Sequence, residues 1–478
     1  MCTKLGWAAR LLALGVGSLA VTGCAGEPEA CRVDVPRAVA SSGASPGAPP
    51  VPATPPRFEE RFDVAVDAAR AGKKLVFVDA WAPWCHTCLS MRKEVLDRPE
   101  LSRFSDRIVF AAIDTDRPES AAFLERYAMR VWPTFFVIDP ENGAVLAMYG
   151  GSGTLGEIEA LLEAGLVARA GRGVGERKLA EAHDAYVKKD AARAADLYVE
   201  AAGTVSNARR AEALLGAIRA LSELGKPERC VEYGTAHAAE VPGSSTPIDF
   251  TYYLKECVDD LAAGAAKDEA AAFVRARVDA FAAEPPSGAS VDDRADLLGL
   301  AAEIAEGAGD KARATKLQEE RLALLEAAAA QAKTPEEAHV YDYERMGALL
   351  ALGRGAEAVR MFEGRTADLP TSYEPYARLA STLLAMNETR AALAPLDKAI
   401  ELSYGPRRLR YLASKSDALT KLGDLAGAVK ALEIEVAGWR ALPASQGGEP
   451  RVAAAEKRLA AARDKLAGKP AEPTAARR

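Results

Sequence analysis

Residues 75–88 read LVFVDAWAPWCHTC, an apolar run that leads directly into a Cys-x-x-Cys pair. The run is rich in β-branched and aromatic residues, which is typical of a buried central strand. Cys85 falls at the start of a predicted helix, where unpaired backbone N–H groups and the helix dipole favour a thiolate. Because thiolates attack disulfides, the pattern predicts a redox pair of Cys85, exposed at the turn, and the more buried Cys88.

Three separated elements of the chain resemble the thioredoxin family. The strand with Asp79 and the Cys-x-x-Cys pair is the first, the VWPTFFV motif at 131–137 resembles the cis-proline loop, and Gly150-Gly151 resembles the glycines after the last strand. The resemblance covers residues 58–168 and implies an α/β thioredoxin fold with a central mixed sheet flanked by helices. Within the superfamily, the chain looks most like periplasmic, membrane-tethered thiol:disulfide interchange reductases.

The resemblance assigns roles to four residues. It implies that Cys85 is the nucleophile and Cys88 the resolving thiol, that Asp79 is the buried acid, and that Pro133 forms a cis peptide facing the pair. Thioredoxins pair the buried Asp with a Lys on the next strand, but Phe110 stands at that position here. The sequence therefore predicts that Asp79 lacks a basic partner.

Four further residues are candidates for substrate binding: Trp84, His86, Trp132 and Thr134. Trp84 is expected to shield the site, and Trp132 is bulkier than the residue that usually precedes the cis-proline, so it should reshape access. Two interpretations of His86 stay open. Its imidazolium stabilises the Cys85 thiolate, or its side chain is solvated and points away from the sulfur.

Composition excludes several classes of function. One Cys-x-x-Cys and four scattered histidines do not suit a metal site, and haem attachment needs a His where Leu89 stands. We therefore expect neither metal nor cofactor. The formal net charge is −7 and no basic stripe is present, so we expect no nucleic-acid partner.

The apolar periodicity predicts an αβαβαββα order for residues 58–168. Thr154 is the predicted N-cap of the closing helix. The predicted elements are a helix at 58–71, the strand at 75–79, the active-site helix, a strand at 108–113, a helix at 119–127, a hairpin of strands at 135–138 and 144–148, and a helix at 154–163.

The N-terminus has the features of a secretory signal. Lys4 and Arg10 precede an apolar segment, Leu11–Val21, that is too short to span a bilayer. The following Thr22-Gly23-Cys24 resembles a bacterial lipobox, which implies a signal peptide at 1–23 and lipidation of Cys24; ordinary secretion with an incidental cysteine is the alternative. Acyl chains would anchor the chain to a membrane.

The residues after Cys24 indicate which membrane holds the anchor and how far the tether extends from it. Ala25 at the following position implies, by the enteric sorting rule, the outer rather than the inner membrane. Residues 24–57 are mostly Pro, Ala, Ser and Gly, which predicts an extended tether facing the periplasm.

Three cysteines remain outside the signal and the redox pair. Cys230 and Cys257 either form a structural disulfide in an oxidising compartment or are two separate buried small residues. Cys31 lies in the tether, where it is a free thiol, a resolving cysteine or an incidental residue.

From residue 177 onward strand signals vanish, and Ala- and Leu-rich helical patterns recur every 34 to 36 residues. We interpret 177–440 as tetratricopeptide-like repeats, with the segment 240–330 as irregular helical pairs; a non-repeating bundle is the alternative. A terminal helix (441–468) and a disordered tail (469–478) follow. The small buried positions are predicted at Ala194, Cys230, Ala358, Ala392 and Ala428.

These features predict a membrane-tethered thiol–disulfide oxidoreductase that acts on cysteine-containing envelope proteins. The repeats would dock the client or another protein partner on their concave face, and a membrane electron donor would be needed for reduction. The alternative is a scaffold lipoprotein in which the thioredoxin fold only binds. A role in cytochrome maturation is a third hypothesis that no residue selects.

Overall fold

A computed structural model describes residues 54–171 and 173–468, which belong to a single structural unit. Five features predicted from the sequence lie outside these ranges: the signal peptide (1–23), the lipidated Cys24, Cys31, most of the tether (24–57) and the tail (469–478).

Residues 57–170, here called the N-terminal domain, form a five-stranded mixed sheet with flanking helices. This confirms the predicted α/β fold class. The strand order is β1-β3-β2-β4-β5, with β2 parallel to β3 and antiparallel to β4. The elements are β1 (Arg57–Glu59), α1 (Phe62–Gly72), β2 (Leu75–Trp81), α2 (His86–Met91), β3 (Ile108–Asp114), α3 (Ala121–Arg126), β4 (Thr134–Ile138), β5 (Val145–Gly150) and α4 (Leu155–Ala170).

The first strand is absent from the sequence-based prediction, which placed Phe58 in a helix. Residues Arg57–Glu59 instead pair in parallel with β3, and Glu60 adopts a positive φ of 58° before α1 begins. A strand of three residues is too short to show a two-residue period, and only its pairing with β3 defines it.

The strand register brings three loops together at one edge of the sheet. Trp81 at the end of β2 pairs with Asp114 at the end of β3, and Ala80 pairs with Thr134 at the start of β4. The Cys-x-x-Cys loop, the loop after β3 and the loop that contains Pro133 therefore meet at this edge, which is where the candidate site lies.

Helix α4 begins where the sequence predicts and runs further than predicted. The side chain of Thr154 accepts from the backbone N–H of Glu157, and the Glu157 carboxylate accepts from the backbone N–H of Thr154. This reciprocal capping box satisfies two donors that the helix itself leaves unpaired. The helix continues past 163 to Ala170 because its apolar face stays buried against the sheet.

The remainder of the described chain is helical, and each helix packs against its neighbours in sequence. This arrangement of helical pairs confirms the predicted tetratricopeptide-like repeats. The helices are α5 (Val174–Val187), α6 (Ala191–Ala202), α7 (Asn207–Glu223), α8 (Pro227–His237), α9 (Thr246–Asp260), α10 (Ala265–Ala283), α11 (Val291–Gly307), α12 (Lys311–Ala330), α13 (Pro335–His339), α14 (Asp342–Ala351), α15 (Gly355–Asp368), α16 (Tyr373–Ala385), α17 (Leu393–Leu402), α18 (Gly405–Lys421), α19 (Leu425–Ala441) and α20 (Glu449–Leu466).

The predicted small positions are buried where helices cross closely. A small side chain there lets two helices approach, while larger neighbours fill the space around it. The prediction is confirmed at Ala194, Cys230, Ala358, Ala392 and Ala428, each of which is at most 1% exposed.

The segment 240–330 is more regular than its prolines suggest. It contains four helices, α9 to α12, of 15, 19, 17 and 20 residues. Pro247 lies in the first turn of α9, where a missing N–H has no cost, and Pro285 and Pro286 lie between α10 and α11. The prolines therefore delimit helices here and do not break them.

A disulfide joins Cys230 of α8 to Cys257 of α9, which settles the alternative that the sequence left open. Both residues are buried, and their Cα atoms are 6.0 Å apart. The bond links two helices whose side chains belong to the same hydrophobic core as the sheet.

The hydrophobic core of the sheet continues without interruption into helices α5–α9. One cluster includes Ile158 of α4, Leu179 of α5, Ile218 of α7 and Phe250 of α9 together with the sheet residues. Separate clusters fill the space between the later helices. The first repeats are thus fixed to the N-terminal domain by apolar burial, which is the main stabilising term in folding.

Among the helices in the described ranges, none combines the length and apolarity that a membrane crossing requires.

Candidate active site

Cys85 and Cys88 form a disulfide at the N-terminus of α2, as the sequence predicts. Their Cα atoms are 5.2 Å apart, and the Cys85 sulfur accepts from the backbone N–H of Cys88 at 3.0 Å. In the reduced protein the same N–H group and the helix dipole would stabilise a Cys85 thiolate. The geometry therefore allows the pair to exchange with another disulfide.

The Trp132–Pro133 peptide is cis, which confirms the cis-proline prediction. The Trp132 indole N–H donates to Thr115 Oγ1 at 2.7 Å, and its ring lies 5.4 Å from that of Trp84. Trp84 in turn donates to Asp116 Oδ2 at 2.7 Å. The two indoles therefore contact each other, and each is held by a hydrogen bond. Thr134 is buried and donates to the carbonyl of Val131.

Asp79 has a basic partner, contrary to the prediction. Its side chain is buried, and Arg92 Nε donates to its Oδ2 at 3.1 Å while the guanidinium lies 3.5 Å above the ring of Trp81. Burial raises the pKa of Asp79, and the positive charge of Arg92 opposes that rise. Phe110 fills the position of the family's Lys, so the charge comes from the segment after α2.

Residues 57–140 match a family model described as thioredoxin-like. Thioredoxin-1 of Drosophila yakuba is 32% identical over 95 residues, which are 20% of this chain and 78% of that protein. The chain belongs to the thioredoxin family. The thioredoxin of Echinococcus granulosus is 28% identical over 100 residues, 21% of this chain and 86% of that relative.

A protein disulfide-isomerase, isomerase 1 of Dictyostelium discoideum, is 31% identical to the thioredoxin-family domain over 87 residues. The chain spans only about a quarter of that relative, since the match covers 23% of its length and 18% of this chain. A tetratricopeptide repeat protein from Parabacteroides merdae resembles 60% of this chain and 97% of its own, with 11% identity and a TM-score of 0.39.

The thioredoxin-family domain, residues 57–170, lies against one face of the repeats. The contacting side chains come from alternate helices: Arg209 of α7 donates to the carbonyl of Leu146, Thr246 of α9 bonds to Tyr149, and Asp293 of α11 bonds to Ser152. Further contacts from α14, α16 and α18 continue this face up to the redox pair. This face of the repeats therefore contacts the chain's own domain.

The later helices cover Trp84 from two sides. A guanidinium N–H of Arg378, on α16, donates to the Trp84 carbonyl at 2.8 Å, and the guanidinium of Arg407, on α18, lies 3.9 Å from the centre of its ring. The neighbouring Cys85 is only 5% exposed, and Cys88 1%. The prediction that Cys85 is exposed is therefore wrong, and the residue before it, Trp84, is contacted by side chains about 300 positions away in sequence.

Two buried carboxyl groups after β3 face the same helices. Tyr404 donates to Asp114, and burial raises the pKa of Asp114. Burial likewise raises the pKa of Asp116 to about 6, against the lowering effect of the Arg407 charge. These groups bind the later helices by polar contacts only.

His86 contacts the repeats and is neither solvated nor free. Its Nδ1 lies 3.0 Å from Asp292 Oδ1 and its Nε2 lies 3.5 Å from Glu344 Oε1. The ring stacks on Tyr343, with centroids 4.9 Å apart. Sequence reasoning missed this arrangement, because Asp292 and Glu344 belong to repeats more than 200 residues away and carry no local motif.

The charge on His86 follows from these neighbours. Burial alone would lower its pKa, but the carboxylate of Asp292 outweighs burial and raises the pKa to about 9. The charged and titratable groups that act on this ring and its carboxylates are Asp292, Asp293 and Asp296 of α11, Arg321 of α12, and Tyr343 and Glu344 of α14. His86 is therefore an imidazolium at neutral pH.

The pKa of His86 predicts that the protein loses stability in mildly alkaline solution. Because folding raises this pKa from 6.5 to about 9, the ion pairs stabilise the fold fully below pH 6.5, and this stabilisation is lost as the pH rises through about 9. We expect the free energy of unfolding, measured by urea denaturation, to fall by on the order of 2 kcal/mol across this window.

His86→Gln is the control for this prediction. The decline above pH 6.5 should be smaller in this variant than in the wild type. Asp296, whose pKa burial raises to about 7 against the lowering charge of His86, also titrates within this window and accounts for the decline that remains. A decline of equal size in His86→Gln would contradict the assignment to His86.

His86, Asp296 and Glu344 also bring ligand-type atoms within 4.8 Å of one another, a grouping among the described residues that could hold a metal ion. Ion pairs already use two of these three groups, since Asp292 and Glu344 contact His86 and Arg321 contacts Glu344. We therefore interpret the grouping as an ion-pair network between the thioredoxin-family domain and the repeats.

Proposed function

We propose that the protein is a thiol–disulfide oxidoreductase tethered to a bacterial membrane, where it acts on cysteine-containing proteins of the cell envelope. The observation that carries the catalytic part is the Cys85–Cys88 disulfide at a helix N-terminus, on the sheet edge where the strand register places cis-Pro133. The tether, the lipid on Cys24 and the preference for the outer membrane rest on the sequence of residues 1–57.

The reaction begins when the Cys85 thiolate attacks a substrate disulfide. A bond forms between Cys85 and one substrate sulfur, and the other substrate sulfur leaves as a thiolate. The Cys88 thiolate then attacks the Cys85 sulfur, the Cys85–Cys88 bond forms, and the second substrate sulfur leaves. The substrate gains two electrons and the protein loses two, so a dithiol donor must reduce the pair again; the reverse sequence oxidises a client.

Asp79 is our candidate for the group that takes the proton from Cys88. It is buried on β2, and burial raises its pKa, as a proton acceptor near neutral pH requires. Arg92 holds the carboxylate in place and offsets its charge. Asp79 and Arg92 together would make the resolving step possible in a site that excludes water.

The experiment that tests this function is a trap for the mixed disulfide. Cys88→Ser leaves the nucleophile but removes the resolving thiol, so the Cys85–client bond should persist and be visible as a higher band on non-reducing gels of envelope fractions. The matched control is the double variant Cys85→Ser/Cys88→Ser, which cannot form the bond. We expect client bands with the first protein and none with the second.

Burial of Cys85 favours a second candidate, the scaffold in which the thioredoxin fold only binds. That function predicts that the same proteins are captured with Cys88→Ser and with the double variant, without any reducible bond. Identical, reductant-insensitive capture by both variants would therefore support the scaffold and refute catalysis.

A further inference from the structure

Helices α14–α20 and the connections between them, residues 342–466, are here called the cover. They differ from the earlier repeats in how they contact the thioredoxin-family domain. Helices α5–α9 share its hydrophobic core. Within residues 54–171 and 173–468, by contrast, no hydrophobic cluster contains residues of both the cover and the thioredoxin-family domain; the nearest apolar contact is Leu89 of α2, which packs against the cluster of Val340 and Tyr341 directly before the cover.

The cover contacts the redox edge through hydrogen bonds, charges and the stacking of Tyr343 on His86. Arg378 and Arg407 contact Trp84, and Tyr404 donates to Asp114. The side-chain amide of Gln446 donates to the carbonyls of Thr115 and Arg117, at 3.0 and 2.6 Å. Because apolar burial is the main stabilising term in folding, we expect the cover, which shares no hydrophobic cluster with the domain, to be easier to displace than the earlier repeats.

Gly405 shows how closely the cover approaches the loop after β3. It is the first residue of α18, with a φ of 52°, and a Cβ added there would lie 1.9 Å from the carbonyl oxygen of Asp116. A real Cβ cannot occupy that position, so any side chain at 405 would push the cover away from the edge. Glycine here permits the closed arrangement.

The closed arrangement limits what can reach Cys85. Exchange requires a substrate sulfur to approach the Cys85 sulfur directly, and Cys85 is 5% exposed. A disulfide on the surface of a folded protein carries bulk on all sides and would meet Arg378 and Arg407 first. A small disulfide has no such bulk.

On the basis of the proposed function, we propose that the cover determines substrate size at the redox pair. When closed, it admits small disulfides and excludes protein disulfides, and a protein disulfide reacts only after the cover has moved away from Trp84. The residues that set this specificity are Gly405, Arg378 and Arg407.

The test compares exchange rates of the reduced full chain with two probes, oxidised glutathione and insulin. Gly405→Ala should raise the rate with insulin at least tenfold and change the rate with glutathione less than threefold. Gly364→Ala is the matched control, because Gly364 lies on α15 of the cover with nothing near its added Cβ. It should leave both rates at the wild-type values.

A second variant disrupts the closed arrangement of the cover without changing the backbone conformation at residue 405. Arg378→Ala/Arg407→Ala removes both contacts to Trp84 and should also accelerate the insulin reaction at least tenfold. Its control is Arg354→Ala/Arg440→Ala, two exposed arginines whose ion pairs lie within the repeats. Insulin rates equal to wild type in both cover variants would overturn the proposal.

Alkylation separates this proposal from the proposed function, because it needs no turnover. In the reduced wild-type protein, N-ethylmaleimide should modify Cys85 much faster than a maleimide carrying a 5-kDa polyethylene glycol, and Gly405→Ala should remove most of the difference. Equal rates for both reagents in the wild type would overturn the proposal that the cover limits access to Cys85. If the small reagent modifies Cys85 faster than the large one but the protein exchanges with neither disulfide, the oxidoreductase function is refuted. The proposal that the cover limits access by size is then retained.

Discussion

Cys85→Ser is expected to lower the rate of disulfide exchange with a small substrate by at least about 10³-fold. Serine keeps the size and the position at the start of α2, but its hydroxyl does not form a nucleophilic anion at neutral pH, whereas the helix N-terminus and the Cys88 N–H favour the thiolate of Cys85. The measurement is glutathione-coupled turnover under identical conditions for both proteins.

Cys88→Ser should behave differently from Cys85→Ser. It retains the nucleophile, so a first exchange occurs at close to the wild-type rate and the protein then stays in the mixed disulfide. Mass spectrometry of the peptide that contains residues 85 and 88 should find one glutathione in Cys88→Ser and none in Cys85→Ser. A stable adduct on Cys85→Ser would contradict the assignment of nucleophile and resolving thiol.

Removal of the second disulfide is expected to destabilise the protein by about 3 to 4 kcal/mol, as the loop-entropy relation gives for a loop of this size. Cys230 and Cys257 are 27 residues apart in sequence, and both side chains belong to the core shared with the sheet. The double variant Cys230→Ala/Cys257→Ala should show this loss in urea unfolding of the oxidised protein.

The matched control for this prediction is the wild-type protein with only the Cys85–Cys88 bond reduced. That bond spans three residues, so it restricts the unfolded chain far less and its reduction should change stability by a smaller amount. Equal unfolding midpoints for the double variant and the wild type would mean that the bond contributes nothing to the fold.

Local sequence determines much of the thioredoxin-family domain. The β2 strand, the cysteine turn and the Thr154 cap were predictable because each depends on residues that are neighbours in sequence. The cis peptide at Pro133 was predictable only through the resemblance to a family. β1 was missed because three residues carry no period, and pairing with β3 alone defines them.

The environment of the redox pair was not predictable from the sequence. Arg92 reaches Asp79 from the segment that directly follows α2, and no spacing rule indicates that contact. His86 and Asp292 are 206 residues apart, and the Arg378–Trp84 bond spans 294. Packing of the repeats against the sheet sets these contacts, so only the complete fold shows that the exposed cysteine of the prediction is buried.

We propose that Cys85 and Cys88 cycle between thiols and a disulfide. The most direct test is the reduction potential of this pair in the purified protein, measured by equilibration with dithiol buffers and quantified by alkylation and mass spectrometry of the peptide that contains both cysteines. We predict reversible cycling with a potential between about −270 and −120 mV, the range of thioredoxin-fold oxidoreductases. A pair that stays oxidised or reduced across this whole range would contradict the claim.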